Sequence, residues 1–306
     1  MDTVTLAAES GDQSVRLLQI TDMHLFAQAE GQLLGIRTAD SFQAVLNAVT
    51  AQHAAFDAIL ATGDISQDYT TASYSRFADM VRPLSRPVFW LPGNHDDGPL
   101  MRRVMPEFGI SDARQILFPA WQVIMLDTQV YSVPHGWLKP DQMQFLEQCL
   151  QAHPDRFALI ALHHNTFPVG SAWLDQHDLK NGSDLLTLLA RFPQARVVLC
   201  GHVHQETDLI HQGVRFLSTP STCVQFEPLS RDFGLDSRGP GCRYLHLHGN
   251  GEVSTQVHRL AAGQVVAEVA YAVTIPSGTS KTVAAVAAAI TAAGGDAPIQ
   301  HRVTRS

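Results

Sequence analysis

The chain reads as an α/β protein, a layered α/β/β/α sandwich of two packed mixed sheets with helices on the outer faces. Three observations predict this. Short apolar or β-branched runs alternate with helical patterns through the first two hundred or so residues. Strands and turns then take over, as in a fold whose sheets pack face to face. Finally, five polar clusters each follow an apolar run directly, and ligands of α/β sheets lie beyond the carboxyl ends of their strands.

Taken in order, Val15–Ile20 is a strand, and Ala39–Gln52 a helix with Phe42, Val45, Leu46 and Val49 at helical spacing. Ala58–Ala61 is the next strand and Ala72–Val81 the next helix. Pro87–Leu91 is a third strand, ended sharply by Pro92-Gly93. Strand Gln122–Leu126, helix Pro140–Gln151, strand Phe157–Leu162, helix Ser183–Arg191 and strand Arg196–Cys200 complete the alternation. Val214–Ser218, Arg243–His248 and Val253–Arg259 form the all-β end. From about residue 262 the composition turns to Ala, Val, Gly and Thr. Residues 1–262 are therefore expected to form one domain, and 263–306 an alanine-rich tail, partly helical or disordered.

The composition is globular, with 45% hydrophobic and 16% charged residues among 306. A net charge of -8 without a basic stripe argues against a nucleic-acid polymer as main partner. Cys149, Cys200, Cys223 and Cys242 are scattered without CxxC spacing, as reduced thiols of a cytoplasmic protein would be. The start of the chain lacks the features of a secretory signal, and the longest apolar stretch, Val283–Ala293, is too short to cross a bilayer. No membrane partner is expected.

The clusters carry the chemistry. Asp22-Met23-His24 offers a carboxylate and an imidazole on either side of one residue, so at a strand end both point the same way. Gly63-Asp64 supplies a carboxylate that can bridge two ions, after a glycine that lets the chain turn sharply. In Gly93-Asn94-His95-Asp96 the Asn94 amide oxygen ligates without adding charge, and His95 reaches substrate. His163 and His164 are adjacent and should point to opposite sides of a strand, which makes one of them a ligand. Gly201-His202-Val203-His204 presents two imidazoles on one face, one for each ion. His246 and His248 repeat that spacing without a preceding glycine turn and read as the solvent face of an edge strand. His135 and His177, in loops beside Pro134 and Trp173, could reach substrate. Such a set can hold two divalent ions about 3.5–4 Å apart, the arrangement of two-metal phosphoester hydrolases. The four positive charges of the ions outweigh Asp22 and Asp64, leaving a site that attracts a phosphodiester anion.

In this order the five blocks resemble the calcineurin-like metallophosphoesterase superfamily, with its D-x-H, G-D, G-N-H, H and G-H-x-H pattern, over roughly residues 15–260. The flanking text is most similar to bacterial class III 3′,5′-cyclic AMP phosphodiesterases. It includes Leu18–Phe26, Trp90–Asp96, Ser171–His177 and Ser218–Phe226. The resemblance implies one ion held by Asp22, His24, Asp64 and His204, and a second held by Asp64, Asn94, His164 and His202. Asn165-Thr166 stand where members carry a residue and then proline, and spacing favours His164 over His163. The resemblance further implies hydrolysis of cyclic AMP to 5′-AMP by in-line attack of a metal-bridging hydroxide. Asp64 and His95 would be catalytic, with His95 as general acid, and His24, Asp64, Asn94, His95 and His204 would contact substrate. Iron and/or manganese are expected as cofactors, zinc is admissible, and a homodimer is allowed. The rival readings are 2′,3′-cyclic nucleotides, glycerophosphodiesters or simple monoesters as substrates, a nuclease acting on polymer, and a non-catalytic module.

Overall fold

The computed structural model describes residues 2–8, 13–52 and 54–262. The proposed tail, 263–306, lies outside the described residues.

One sheet has five strands in the order β14 (Val253–Arg259), β13 (Gly241–Leu247), β2 (Val15–Ile20), β5 (Ala58–Ala61) and β6 (Val88–Trp90). The other has seven, in the order β1 (Thr3–Thr5), β7 (Gln115–Leu117), β8 (Trp121–Met125), β9 (Phe157–Ala161), β10 (Ala195–Cys200), β12 (Val214–Ser218) and β11 (Thr207–His211). A two-stranded ribbon, β3 (Gln32–Leu33) with β4 (Ile36–Arg37), stands apart. The helices are α1 (Thr38–Ala51), α2 (Thr71–Val81), α3 (Gly98–Val104), α4 (Pro140–Ala152) and α5 (Gly182–Leu189).

Strand alternation builds the layers. In β2, Val15 and Leu17 face the other sheet, while Leu18 and Ile20 face α1. In β9, Leu159 and Ala161 face inward between the sheets, while Ala158 and Ile160 face α4 and α5. Three apolar layers result. One lies between the sheets, one under α1 and α2 (Phe42, Val45, Tyr74, Phe77), and one under α4 and α5 (Leu146, Leu150, Leu185, Leu189). A strand buried on both faces must be apolar throughout, which is why these runs are continuous rather than alternating. This is the α/β/β/α sandwich expected. Its central strands are parallel, β2 to β5 to β6 in one sheet and β8 to β9 to β10 to β12 in the other, so their carboxyl ends share one rim.

One strand differs from expectation. The strand carrying His246 is interior, because the chain returns as β14 and pairs with it antiparallel, making β14 the edge. Among the described residues no helix is long and apolar enough to cross a membrane.

Candidate metal centre

The five clusters meet on that rim. Thr21–His24 follow β2, Thr62–Asp64 follow β5, Leu91–Asp96 follow β6, His163-His164 follow β9 and Gly201–His204 follow β10. The sheets thus contribute from both sides, and Asp22, His24, Asp64, His163, His164, His202 and His204 are all buried.

Simple strand alternation does not aim these side chains. Asp22, His24, Asp64, His202 and His204 all have positive φ, between 48° and 68°. Residues other than glycine seldom adopt this left-handed backbone, and it concentrates where a structure over-determines a functional geometry. Gly63 has φ +98°, and a Cβ there would lie 2.4 Å from His163 Nδ1. A Cβ on Gly93 would lie 2.1 Å from Asp64 Oδ1. Both glycines let neighbouring loops close onto the ligands.

Asp64 is central. Its Oδ1 accepts from the His95 backbone N–H at 2.8 Å, while Oδ2 faces His163 Nε2 at 3.3 Å and His24 Nε2 at 3.7 Å. Asn94 Oδ1 is 3.2 Å from His163 Nε2. His204 Nε2 lies 3.4 Å from Asp22 Oδ1 and 3.3 Å from His24 Nε2. Asp22 also accepts from the His202 backbone N–H at 3.1 Å. Among the described residues, three triads have ligand atoms mutually within 4.8 Å: Asp22–His24–His204, Asp22–Asp64–His163 and His163–His164–His202.

The outer nitrogen of four imidazoles is tied down. His24 Nδ1 meets Gln67 Oε1 (2.7 Å), His163 Nδ1 the Thr62 carbonyl (2.8 Å), His204 Nδ1 the Val224 carbonyl (2.9 Å) and His164 Nδ1 the Thr128 hydroxyl (2.7 Å). A carbonyl partner fixes Nδ1 as the donor and turns Nε2, the metal-binding nitrogen, inward. Phe226 stacks face-on against His204, centroids 4.2 Å apart. The Nε2 atoms of His164 and His202 are buried without a hydrogen-bond partner. Unsatisfied buried nitrogens beside paired carboxylates are the donor set of a divalent-cation site, so the residues fit divalent metal ions.

Electrostatics agree. Burial pushes Asp64 up, yet the imidazoles of His163 and His95 hold it well below the usual carboxylate range. Asp22 is likewise lowered, His204 and His163 outweighing its burial. Burial drives His24 down to about 3 and takes His164 and His202 well below the ordinary histidine range. His163 is the exception: despite burial, Asp64 and Asp22 raise it to about 9.

The histidine pair departs from strand geometry. β9 ends at Ala161, so His163 and His164 lie in a bend, and their rings, 4.9 Å apart, face the same cluster. His163 sits against Asp64 and Asn94, whereas His164 approaches from the His202 side, ring centroids 4.6 Å apart. His95 stands edge-on to His24, 5.1 Å between centroids. His135 and His177 lie in loops of the same rim, and the charge of His135 contributes to lowering the pKa of both His164 and His177.

Several supporting residues have weak sequence signals. Gln67 and Thr128 follow strands without forming a glycine–acid or glycine–histidine cluster. Asp96, visible at the end of its cluster, accepts from the backbone of Gly93, Ile65 and Ser66 and from the Tyr74 hydroxyl, joining two ligand loops. Burial and the Asp64 charge raise it to about 7.

Comparison with known proteins agrees with this geometry. A chain from Vibrio vulnificus named 3′,5′-cyclic adenosine monophosphate phosphodiesterase CpdA is 54% identical over 253 residues, covering 82% of this chain and 92% of the relative. The CpdA of Escherichia coli K12 is 47% identical over 262 residues, covering 85% and 95%. Among solved structures, a dimetal phosphatase from Danio rerio shares the fold at 14% identity, with a TM-score of 0.55 and coverage of 79% of this chain and 98% of that one. The profile of the calcineurin-like phosphoesterases matches residues 15–206, and the chain belongs to that family.

Proposed function

We propose that the chain hydrolyses 3′,5′-cyclic AMP to 5′-AMP at a two-metal centre. The observation that carries this is Asp64, whose one carboxylate faces both His24 and His163 while the His95 backbone fixes its other oxygen. The names of the Vibrio and Escherichia relatives supply the substrate.

One ion would be held by Asp22, His24, Asp64 and His204. The other would be held by Asp64, Asn94, His202 and the fourth-block histidine. Proximity to Asp64 and Asn94 supports His163 in that place, with His164 as a further donor beside His202. Mixed oxygen and nitrogen ligation suits iron and/or manganese, with zinc admissible. When bound, such ions supply Lewis acidity to the phosphoryl oxygens and acidify the attacking water. His95 is poised to contact the phosphate and protonate the departing 3′ oxygen. Burial lowers its pKa, with the charge of Asp64 opposing and the neighbouring His163 and His204 imidazoles adding to the fall. The four cysteines, all free and buried, suit a reducing cytoplasm.

The test is a substrate panel at equal concentration on metal-reconstituted protein. The proposal expects the highest kcat/KM for 3′,5′-cyclic AMP with 5′-AMP as product. Preference for 2′,3′-cyclic AMP, a glycerophosphodiester or a monoester would overturn the substrate assignment and leave the metal centre standing.

A further inference from the structure

Among the described residues, the exposed aromatic side chains on loops of the ligand-bearing rim include Tyr69, Tyr131 and, less exposed at 44%, Trp137. Tyr69 is 50% and Tyr131 92% exposed. Tyr69 belongs to the loop from β5 to α2, on the five-stranded sheet, and Tyr131 to the loop after β8, on the seven-stranded sheet. They therefore approach the rim from opposite sheets.

Both loops are fastened to the turn that carries Asn94 and His95. The Tyr69 backbone N–H donates to Ser66 Oγ at 3.0 Å, and the Ser66 N–H donates to Asp96 Oδ1 at 3.0 Å. From the other side, Gln129 Nε2 donates to the Gly93 carbonyl at 2.7 Å and to the Asp96 carbonyl. Tyr69 also holds a left-handed backbone, φ 57°. For a bulky residue this is strained, and its half-exposed ring brings little core packing to offset the strain. Burial, then the charges of Asp64 and Asp96, then Tyr131, raise the pKa of its phenol.

A cyclic nucleotide offers metals only its phosphate, and its base still needs a surface. Tyrosine provides a rigid aromatic face at low entropic cost, and bases stack on such faces whatever their edge pattern. We infer that Tyr69 and Tyr131 form the nucleobase rest of the active site, receiving the base by stacking while the ligand cluster takes the phosphate. This rests on the cyclic-nucleotide reading above. Because stacking reads a π-face, cyclic GMP is held by the same two rings.

The test compares Tyr69→Ala, Tyr131→Ala and Tyr69→Phe with the parent, after confirming equal metal content and melting temperature. Substrates are cyclic AMP, cyclic GMP and a base-free ribose 3′,5′-cyclic phosphate. The expected result is a KM for both nucleotides raised on the order of tenfold by each alanine, with kcat kept, parent-like KM in Tyr69→Phe, and no change for the base-free ester. Tyr131, almost wholly exposed, carries no folding risk. An unchanged KM for the nucleotides, or an equal rise for the base-free ester, overturns the nucleobase rest alone. A parent that is inactive on every cyclic ester overturns the cyclic-nucleotide reading and the rest together.

Discussion

At the scale of single residues, the site is built by backbone strain and outer hydrogen bonds as much as by its ligands. Five ligand candidates, Asp22, His24, Asp64, His202 and His204, sit in the left-handed region. Each such residue costs of order 1–3 kcal/mol, a cost the surrounding sheets must offset. The ligating atoms are then aimed by partners further out. Replacing Gln67 by leucine removes the acceptor that orients His24. We expect metal affinity to fall about 10–100-fold by chelator competition, and parent affinity would show that His24 needs no such support. In the proposed mechanism His95 contributes its side chain to substrate rather than to metal. His95→Ala should keep two ions per chain by elemental analysis while kcat drops roughly 10²–10⁴-fold. Full turnover in a fully loaded variant would remove it from the chemistry.

At the scale of elements, the carboxyl ends of β2, β5, β6, β9 and β10 each deliver one cluster, and glycine makes the delivery compact. Gly63→Ala combines a positive φ with a Cβ 2.4 Å from His163 Nδ1. It should lower the melting temperature and weaken metal binding together, since one displacement causes both. Parent values for both would contradict the packing described. These strands were legible because burial on both faces makes a run apolar throughout. β2, β5, β12 and β14 fall at the bounds read from sequence. Of the strands not anticipated, β7 (Gln115–Leu117) is buried throughout but only three residues long, and the others have little burial to write into the sequence. β1 is Thr3-Val4-Thr5 at an edge, β11 alternates exposed residues at the opposite edge, and β3 and β4 have two residues each. α3 is short, although Asp97 caps Leu100 N–H and Pro99 follows, a start signal readable in principle. Within the site, the sequence marked the clusters whose side chains come together, but spacing favoured His164 where His163 is the one that lies against Asp64 and Asn94, and the direction of the pair was not legible. It depends on β9 ending at Ala161, a boundary one residue short of the expected strand.

At the scale of the molecule, two sheets on one shared rim hold a centre that neither forms alone. Asp22, Asp64 and Asn94 come from the five-stranded sheet, and His163, His164, His202 and His204 from the seven-stranded one. The inter-sheet core, with Leu17, Leu60, Leu159 and Leu199, thereby sets the distance between ligand halves. The Vibrio and Escherichia relatives align with 82% and 85% of the chain, and we propose that residues 1–262 are the functional unit. Truncation after residue 262 should leave kcat/KM for cyclic AMP within about twofold of the full chain; a collapse of activity would assign the tail a part in the site. The most direct test of the whole account is metal titration of the stripped protein, with bound ions per chain counted alongside cyclic AMP hydrolysis. The account predicts that hydrolysis is absent without metal, appears as the chain fills to two ions, and is lost in Asp64→Ala together with the second ion. Hydrolysis by metal-free protein, or saturation at a single ion with Asp64 dispensable, would contradict it.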